Sequence, residues 1–310
     1  MDKIKVGVVG VGYFGQFHVE KYSKMEEVEL VGVVDLNPTR SKEIARRYQI
    51  QPFENHAQLF NKVQAVSIVS STPSHYSLTK DFLLHGIHVL LEKPMVTNLS
   101  EAEELIRLSE QKGLVFQVGY LERFNGAFLA TRGLIREPRF IEFQRLTPFT
   151  GRGIEVDVVL DLMIHDIDVL LSWISSPVKS ISAVGLPILT SHSDVAHARI
   201  EFESGCVASL LVSRFSKEKV RKALIFQPES LVVIDFLTQR ASYVQKEGHF
   251  EMRVKEIPVT MEDPLELEIR EFIQSVRQRR EPKISGLEGK RALELALRII
   301  HLMNPAWIPP

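Results

Sequence analysis

The sequence predicts an α/β protein in two parts: a doubly wound parallel sheet in residues 1–119, then an α+β domain in residues 120–310 whose sheet is large, open and mostly antiparallel. Three observations carry this. A short β-branched run ends on glycines and opens a helical pattern; apolar runs then alternate with helical segments; past Gly119 the strand-like runs follow one another with only short turns between most of them. At 310 residues the chain is long enough for two cores.

Residues 4–9 are apolar and β-branched, 17–25 suit a helix and 28–34 form a second apolar run, which together make one βαβ unit. The alternation continues with a helix over 40–48, a strand over 65–70, a helix over 77–85, a strand over 88–91, a helix over 100–112 and a strand over 115–118. Strands joined through helices pair in parallel, with right-handed crossovers. In the second part, strands are expected over 140–146, 178–184, 196–202, 206–213, 224–226 and 231–235. One helix over 158–174 interrupts them, and helices over 264–279 and 288–303 close the chain. The tail with Pro305, Pro309 and Pro310 reads as irregular, and there is neither an internal repeat nor a low-complexity linker.

Charge narrows the choice of partners. With 38 Lys+Arg against 39 Asp+Glu, no global field draws the chain to nucleic acid or to an anionic membrane, so any phosphate recognition has to be local. No apolar stretch is long enough to span a bilayer, and the first strand begins too early to leave room for a signal peptide, which makes a cytoplasmic location the expectation. The lone Cys206, in an apolar run, cannot form an intrachain disulfide and reads as a buried thiol.

Gly10-x-Gly12-x-x-Gly15 joins the first strand to the first helix, with Tyr13 and Phe14 inside the turn. The first glycine permits a tight turn, the second lets a pyrophosphate approach the backbone, and the third allows close helix–strand packing. Asp35, twenty residues beyond Gly15 at the end of the second strand, can accept hydrogen bonds from an adenosine ribose. Its charge repels a 2′-phosphate and Arg40 is the only nearby basic residue, so the pattern leans to NAD over NADP. A glycine turn that binds nothing is the plain alternative.

Ser71, Thr72, Pro73 and His75 follow a strand at its carboxyl end, where doubly wound sheets bind ligands, although His75 reads equally well as a helix-start residue in solvent. Glu92-Lys93-Pro94 follows the next strand. Proline favours an extended Lys93 and raises a cis bond as an option, and an ammonium held there can polarise an alcohol or carbonyl oxygen. A solvated loop lysine is the alternative. Asp161, His165 and Asp168 stand at i, i+4 and i+7, one face of a helix. Asp161 can then hold one imidazole nitrogen while the other meets substrate, and a carboxylate raises the histidine towards a useful base. A buried polar cluster and a metal site are the other readings; the metal site lacks a third ligand with clear spacing, so no metal is expected.

Taken in order, GVGYFG, Asp35, TPSH, EKP, the segment GYLERF over 119–124 and the DxxxHxxD helix resemble the glucose–fructose oxidoreductase / inositol dehydrogenase (Gfo/Idh/MocA) family over nearly the whole chain. The resemblance implies an oxidoreductase of CH–OH groups that uses NAD. Gly10, Gly12, Tyr13, Phe14, Gly15, Asp35, Ser71, Thr72, Pro73, His75, Glu92 and Lys93 would hold the cofactor. Lys93, Asp161 and His165 would be the catalytic set, with His165 as proton acceptor. It also implies a homodimer or homotetramer formed through the outer face of the second sheet.

Leu162-Met163 stands where many members carry a glycine before the histidine, which points to a pocket shaped for a different sugar. Segments 123–125, 142–149, 157–168 and 225–228 resemble the sugar-nucleotide branch. That branch implies a UDP-sugar substrate, oxidation of the 3-hydroxyl of UDP-N-acetylglucosamine for diamino-sugar lipid A synthesis, and coupling to a pyridoxal-phosphate-dependent aminotransferase. Arg123, Arg145 and Arg152 would then contact the diphosphate, since guanidinium matches phosphate bidentately, and His165 would touch the sugar. The alternatives are a dehydrogenase of another sugar or cyclitol and an NAD-binding regulator without turnover. The charge runs 217–222 and 277–280 read as a solvated turn and as a helix C-terminus.

Overall fold

A computed structural model of the chain describes residues 2–303, and the proline tail lies outside the described residues. The chain forms two compact units, Met1–Leu121 with Leu265–Leu293 and Glu122–Pro264 with Glu294–Pro310.

The first unit begins β1 (Ile4–Val9), α1 (Gly15–Ser23), β2 (Val28–Val34), α2 (Pro38–Tyr48) and β3 (Gln51–Phe53). It continues β4 (Ala65–Ile68), α3 (His75–Leu84), β5 (His88–Glu92), α4 (Leu99–Gln111) and β6 (Phe116–Gly119). All pairings are parallel and the sheet order is β3-β2-β1-β4-β5-β6. The order reverses between β1 and β4, which opens a crevice at their carboxyl ends. The central strands β4 and β6 are buried throughout, as a sheet covered on both faces requires. Helix starts follow from side-chain chemistry: Asn37 accepts from the Thr39 and Arg40 N–H groups at the start of α2, and Asn98 accepts from Glu101 N–H at α4. Strand β3 was not legible, because Gln51-Pro52-Phe53 has two exposed residues and a proline that only an edge strand tolerates.

In the second unit, β7 (Phe140–Leu146), β8 (Val178–Leu186), β9 (Val195–Phe202), β10 (Val207–Ser213), β11 (Val220–Gln227), β12 (Ser230–Asp235), β13 (Arg240–Glu247) and β14 (Glu251–Ile257) form one sheet. Its order is β14-β13-β12-β11-β7-β10-β9-β8, with β7 and β10 the one parallel pair. Strand alternation buries Ile141, Phe143, Leu210, Ala198 and Ile225 on one face. Helices α5 (Gly126–Thr131) and α6 (Ile164–Trp173) cover that face, where the Trp173 ring stacks on Phe128 and Phe143 with centroids 5.9 and 5.8 Å apart. β14 is exposed along nearly its whole length, so it and β13 lack the apolar alternation that sequence reading needs; backbone pairing holds them.

Two expectations require correction. The helix over 158–174 is not uniform: Val159–Met163 is a π turn, and the α-helix proper is α6. Nor do the domains divide at 119/120, because α7 (Pro264–Gln278) and the start of α8 (Gly286–Leu302) belong to the first unit. The apolar stripe Leu265, Ile269, Phe272, Ile273 and Val276 of α7 packs in one core with Val6, Val8, Val28 and Val33. Among the described residues, no helix is long and apolar enough to cross a membrane.

Candidate active site

The cofactor half lies in the first unit. Gly10 has φ +85°, and a Cβ there would stand 2.6 Å from the Val69 carbonyl oxygen; at Gly15 a Cβ would overlap the Gly10 carbonyl oxygen. Gly12 has open space where its Cβ would be. The turn is therefore closed on its protein side and open at its second glycine, which fits a pyrophosphate laid against the α1 N-terminus. Tyr13 is exposed beside it, and Phe14 packs edge-on against Phe17 and His18.

Asp35 holds this turn in place. Its Oδ2 accepts from Val11 N–H at 2.7 Å and its Oδ1 from Asn37 N–H at 2.8 Å, leaving a second lone pair on each oxygen for a ribose hydroxyl. Arg40, the one basic candidate nearby, is already committed. Its Nε donates to the Val11 carbonyl at 3.0 Å, Nη2 to Gln16 at 3.1 Å and Nη1 to Glu43 at 3.1 Å.

At the other side of the crevice, Thr72–Ser74 forms a 3-10 turn in which Ser71 and Pro73 are exposed and Thr72 is buried. His75 does not face solvent. Its Nδ1 lies 2.8 Å from the Pro94 carbonyl and its Nε2 3.0 Å from the Ser70 carbonyl, so it braces the two loops that carry the other candidates. Burial pushes its pKa down, against the weaker opposing pull of those carbonyls and of Glu92.

The Lys93–Pro94 bond is cis and Lys93 is half-buried. Glu92, read as a cofactor contact, turns inward instead: it lies 3.3 Å from His18 Nε2, receives Lys93 N–H at 3.3 Å, and occupies the space a Gly119 Cβ would need. His18 was missed in the sequence, although a polar residue three positions after Gly15, in line with buried Val19 and Tyr22, marks the inner face of α1.

The acid–base half lies in the second unit. The π turn carries Asp161, half-buried, and α6 starts beside His165, which keeps 8% of its surface. A π turn changes the angular spacing of successive side chains, so the i, i+4 geometry expected for an α-helix does not apply across 161–165. Asp161 lies against Gly153, whose φ is +69° and whose Cβ would come 2.6 Å from its carboxylate.

Arg145 is not a diphosphate contact. It is 2% exposed, its Nε and Nη2 grip Asp166 at 3.0 and 2.7 Å, and its Nη1 donates to Glu122 at 2.9 Å. Arg221, from the run read as a solvated turn, also reaches Glu122, at 3.4 Å. This network ties α6 to the sheet one residue from His165. Removing one partner of such a pair costs about 3–5 kcal/mol, because a charge is left buried and uncompensated. Arg123 pairs with Asp168 at 3.3 Å and lies over the Phe128 ring, whereas Arg152 is exposed on a loop. Among the described residues no group of three or more His, Cys, Asp or Glu is arranged to hold a metal.

Comparison with known proteins agrees with this arrangement. A family model described as an oxidoreductase family with an NAD-binding Rossmann fold matches residues 4–120, and one for the GFO/IDH/MocA C-terminal domain matches 133–229. The UDP-N-acetylglucosamine 3-dehydrogenase of Acidithiobacillus ferrooxidans is 32% identical over 96% of this chain and 97% of its own. The solved structure of that enzyme superposes with a TM-score of 0.92, covering 98% of each chain. The scyllo-inositol 2-dehydrogenase (NAD(+)) of Bacillus subtilis is 23% identical over 95% of this chain and 92% of its own.

Proposed function

Since the chain belongs to the Gfo/Idh/MocA family of NAD-binding oxidoreductases, we propose that it oxidises a secondary hydroxyl of a sugar nucleotide, the 3-hydroxyl of UDP-N-acetylglucosamine, to a ketone. The observation that carries this is identity of 32% to a dehydrogenase of that substrate, spread over 96% of the chain and therefore over the substrate half as well as the cofactor half. NAD, when bound on the Gly10–Gly15 turn, supplies the hydride acceptor. His165 takes the hydroxyl proton, Asp161 orients the imidazole and steadies its positive form, and the Lys93 ammonium favours the alkoxide-like oxygen. Arg152 is the diphosphate contact, with Arg123 in support through its pairing with Asp168. Asp35 selects NAD, because a 2′-phosphate meets its charge and Arg40 is already committed.

Oxidising a secondary alcohol with NAD is uphill near neutral pH, so a consuming step draws the reaction forward. A pyridoxal-phosphate-dependent aminotransferase acting on the 3-ketone suits that role and leads to the diamino sugar of lipid A, made in the cytoplasm. The test incubates the protein with UDP-N-acetylglucosamine, glutamate, such an aminotransferase and either NAD or NADP. We expect a 3-amino sugar nucleotide by mass spectrometry with NAD, and at least tenfold less with NADP. Turnover of inositols without turnover of UDP-sugars would move the function to a cyclitol, the reading that the scyllo-inositol relative favours. NAD binding with no turnover of either class would make the protein a regulator.

A further inference from the structure

Arg214 and Asp194 form a buried ion pair that none of the chemistry above uses. The antiparallel register of β9 and β10 sets Ser213 opposite Val195, so the next residue of each strand, Arg214 and Asp194, face one another at the sheet's end. Their side chains keep 3% and 0% of their surface, with Arg214 Nε 3.0 Å from Asp194 Oδ1. Asp194 is anchored by the N–H groups of Ile188, Leu189 and Thr190 and by the Thr190 hydroxyl.

The guanidinium then grips three carbonyls: Gly153 at 2.7 Å through Nη1, and Val156 at 2.9 Å and Ser193 at 3.0 Å through Nη2. Two of these lie on the irregular segment that links β7 to the π turn and carries Arg152 between the left-handed Gly151 and Gly153. Asp157 completes the hold, accepting from Val159 N–H and from Ser193 N–H. The Gly153 backbone, so pinned, is the surface against which the Asp161 carboxylate rests.

We propose that Arg214 and Asp194 are positioning residues of the dehydrogenase: by fixing the carbonyls of Gly153 and Val156 they hold the loop that sets the place of Asp161 and presents Arg152. A buried ion pair contributes little net stability against an apolar replacement, so its contribution here is geometric. Only a guanidinium can reach three carbonyls and a carboxylate at once, which a lysine ammonium cannot do in this planar arrangement.

This inference rests on the dehydrogenase reading, and the test separates the two. Arg214→Met with Asp194→Asn removes both charges while keeping an acceptor for the turn at 188–190. We expect this double variant to stay folded with unchanged NAD affinity, its kcat at least tenfold lower and amide exchange faster only in the peptide over 148–158. Arg214→Lys should recover part of the kcat loss. Gly153→Ala approaches the same contact from the other side, and should lower kcat at unchanged thermal stability if the double variant fails to fold. Wild-type kcat in a folded double variant, or in Gly153→Ala, overturns the proposal. A wild-type protein with no turnover on UDP-sugars or polyols would refute the dehydrogenase reading instead, leaving exchange in the 148–158 peptide to decide whether the pair holds the loop.

Discussion

At the scale of single residues, the proposed chemistry turns on His165, which is buried except for a small opening and sits beside a residue locked to the sheet. His165→Ala should lower turnover roughly a hundredfold, the usual size of a general-base contribution. NAD affinity should stay within a factor of two, since the glycine turn belongs to the other unit; stopped-flow turnover and cofactor titration check the pair, and a wild-type rate would remove His165 from the mechanism. Arg145 shows how a residue can be misread although the signal was present. It shares the strand parity of Ile141 and Phe143, both fully buried, so alternation alone puts its guanidinium inside. The eye went to its charge. His18 was passed over for the opposite reason, because a lone polar residue on a helix carries no mark of the Glu92 that faces it from a distant strand.

At the scale of elements, two devices place the functional side chains. The π turn Val159–Met163 re-aims Asp161 relative to α6, a use such turns often have at functional sites. Its cue in sequence is weak, since an apolar period interrupted by one residue still resembles a helix. The second device is His75, joining the carboxyl end of β4 to the loop after β5. The fold keeps this imidazole neutral, with a pKa lowered from 6.5 mainly by burial. The unfolded chain therefore binds a proton that the native state resists, so the contribution is whole above pH 6.5 and is lost as pH falls from there through the folded-state value. Denaturant midpoints between pH 8 and 5 should fall on acidification, and fall less steeply in His75→Gln. Some slope should persist, because His88 is lowered as well, by burial and by the nearby Arg279. An unchanged slope in His75→Gln would show that the brace does not titrate with folding.

At the scale of the whole molecule, the second sheet has a face with no cover. Cross-strand pairing aligns Val207, Phe140, Phe226 and Leu231 in one row across four strands, all of them partly exposed. Phe140 and Phe226 stack with ring centroids 5.7 Å apart. An apolar row of this kind on a sheet marks an interaction surface, and we assign it to a second copy of the chain. Light scattering should find a dimer or tetramer, and Phe226→Glu should shift it to monomer with little loss of secondary structure; a monomeric wild type would remove the assignment.

The sequence by itself determined the class of fold, the glycine turn with Asp35 and the histidine beside a carboxylate, because each depends on local spacing: a tight turn needs glycine, a parallel strand needs an apolar run, and an acid follows its strand. The comparison with known proteins then placed the chain in its family along its whole length. Tertiary structure alone decided the rest. The return of α7 to the first core, the inward turn of Glu92 towards His18, the burial of Arg145 and the meeting of Arg214 with Asp194 each join residues far apart in the chain. Such pairs arise where strand register and packing bring side chains together, and no local pattern encodes which distant charge a buried group will meet.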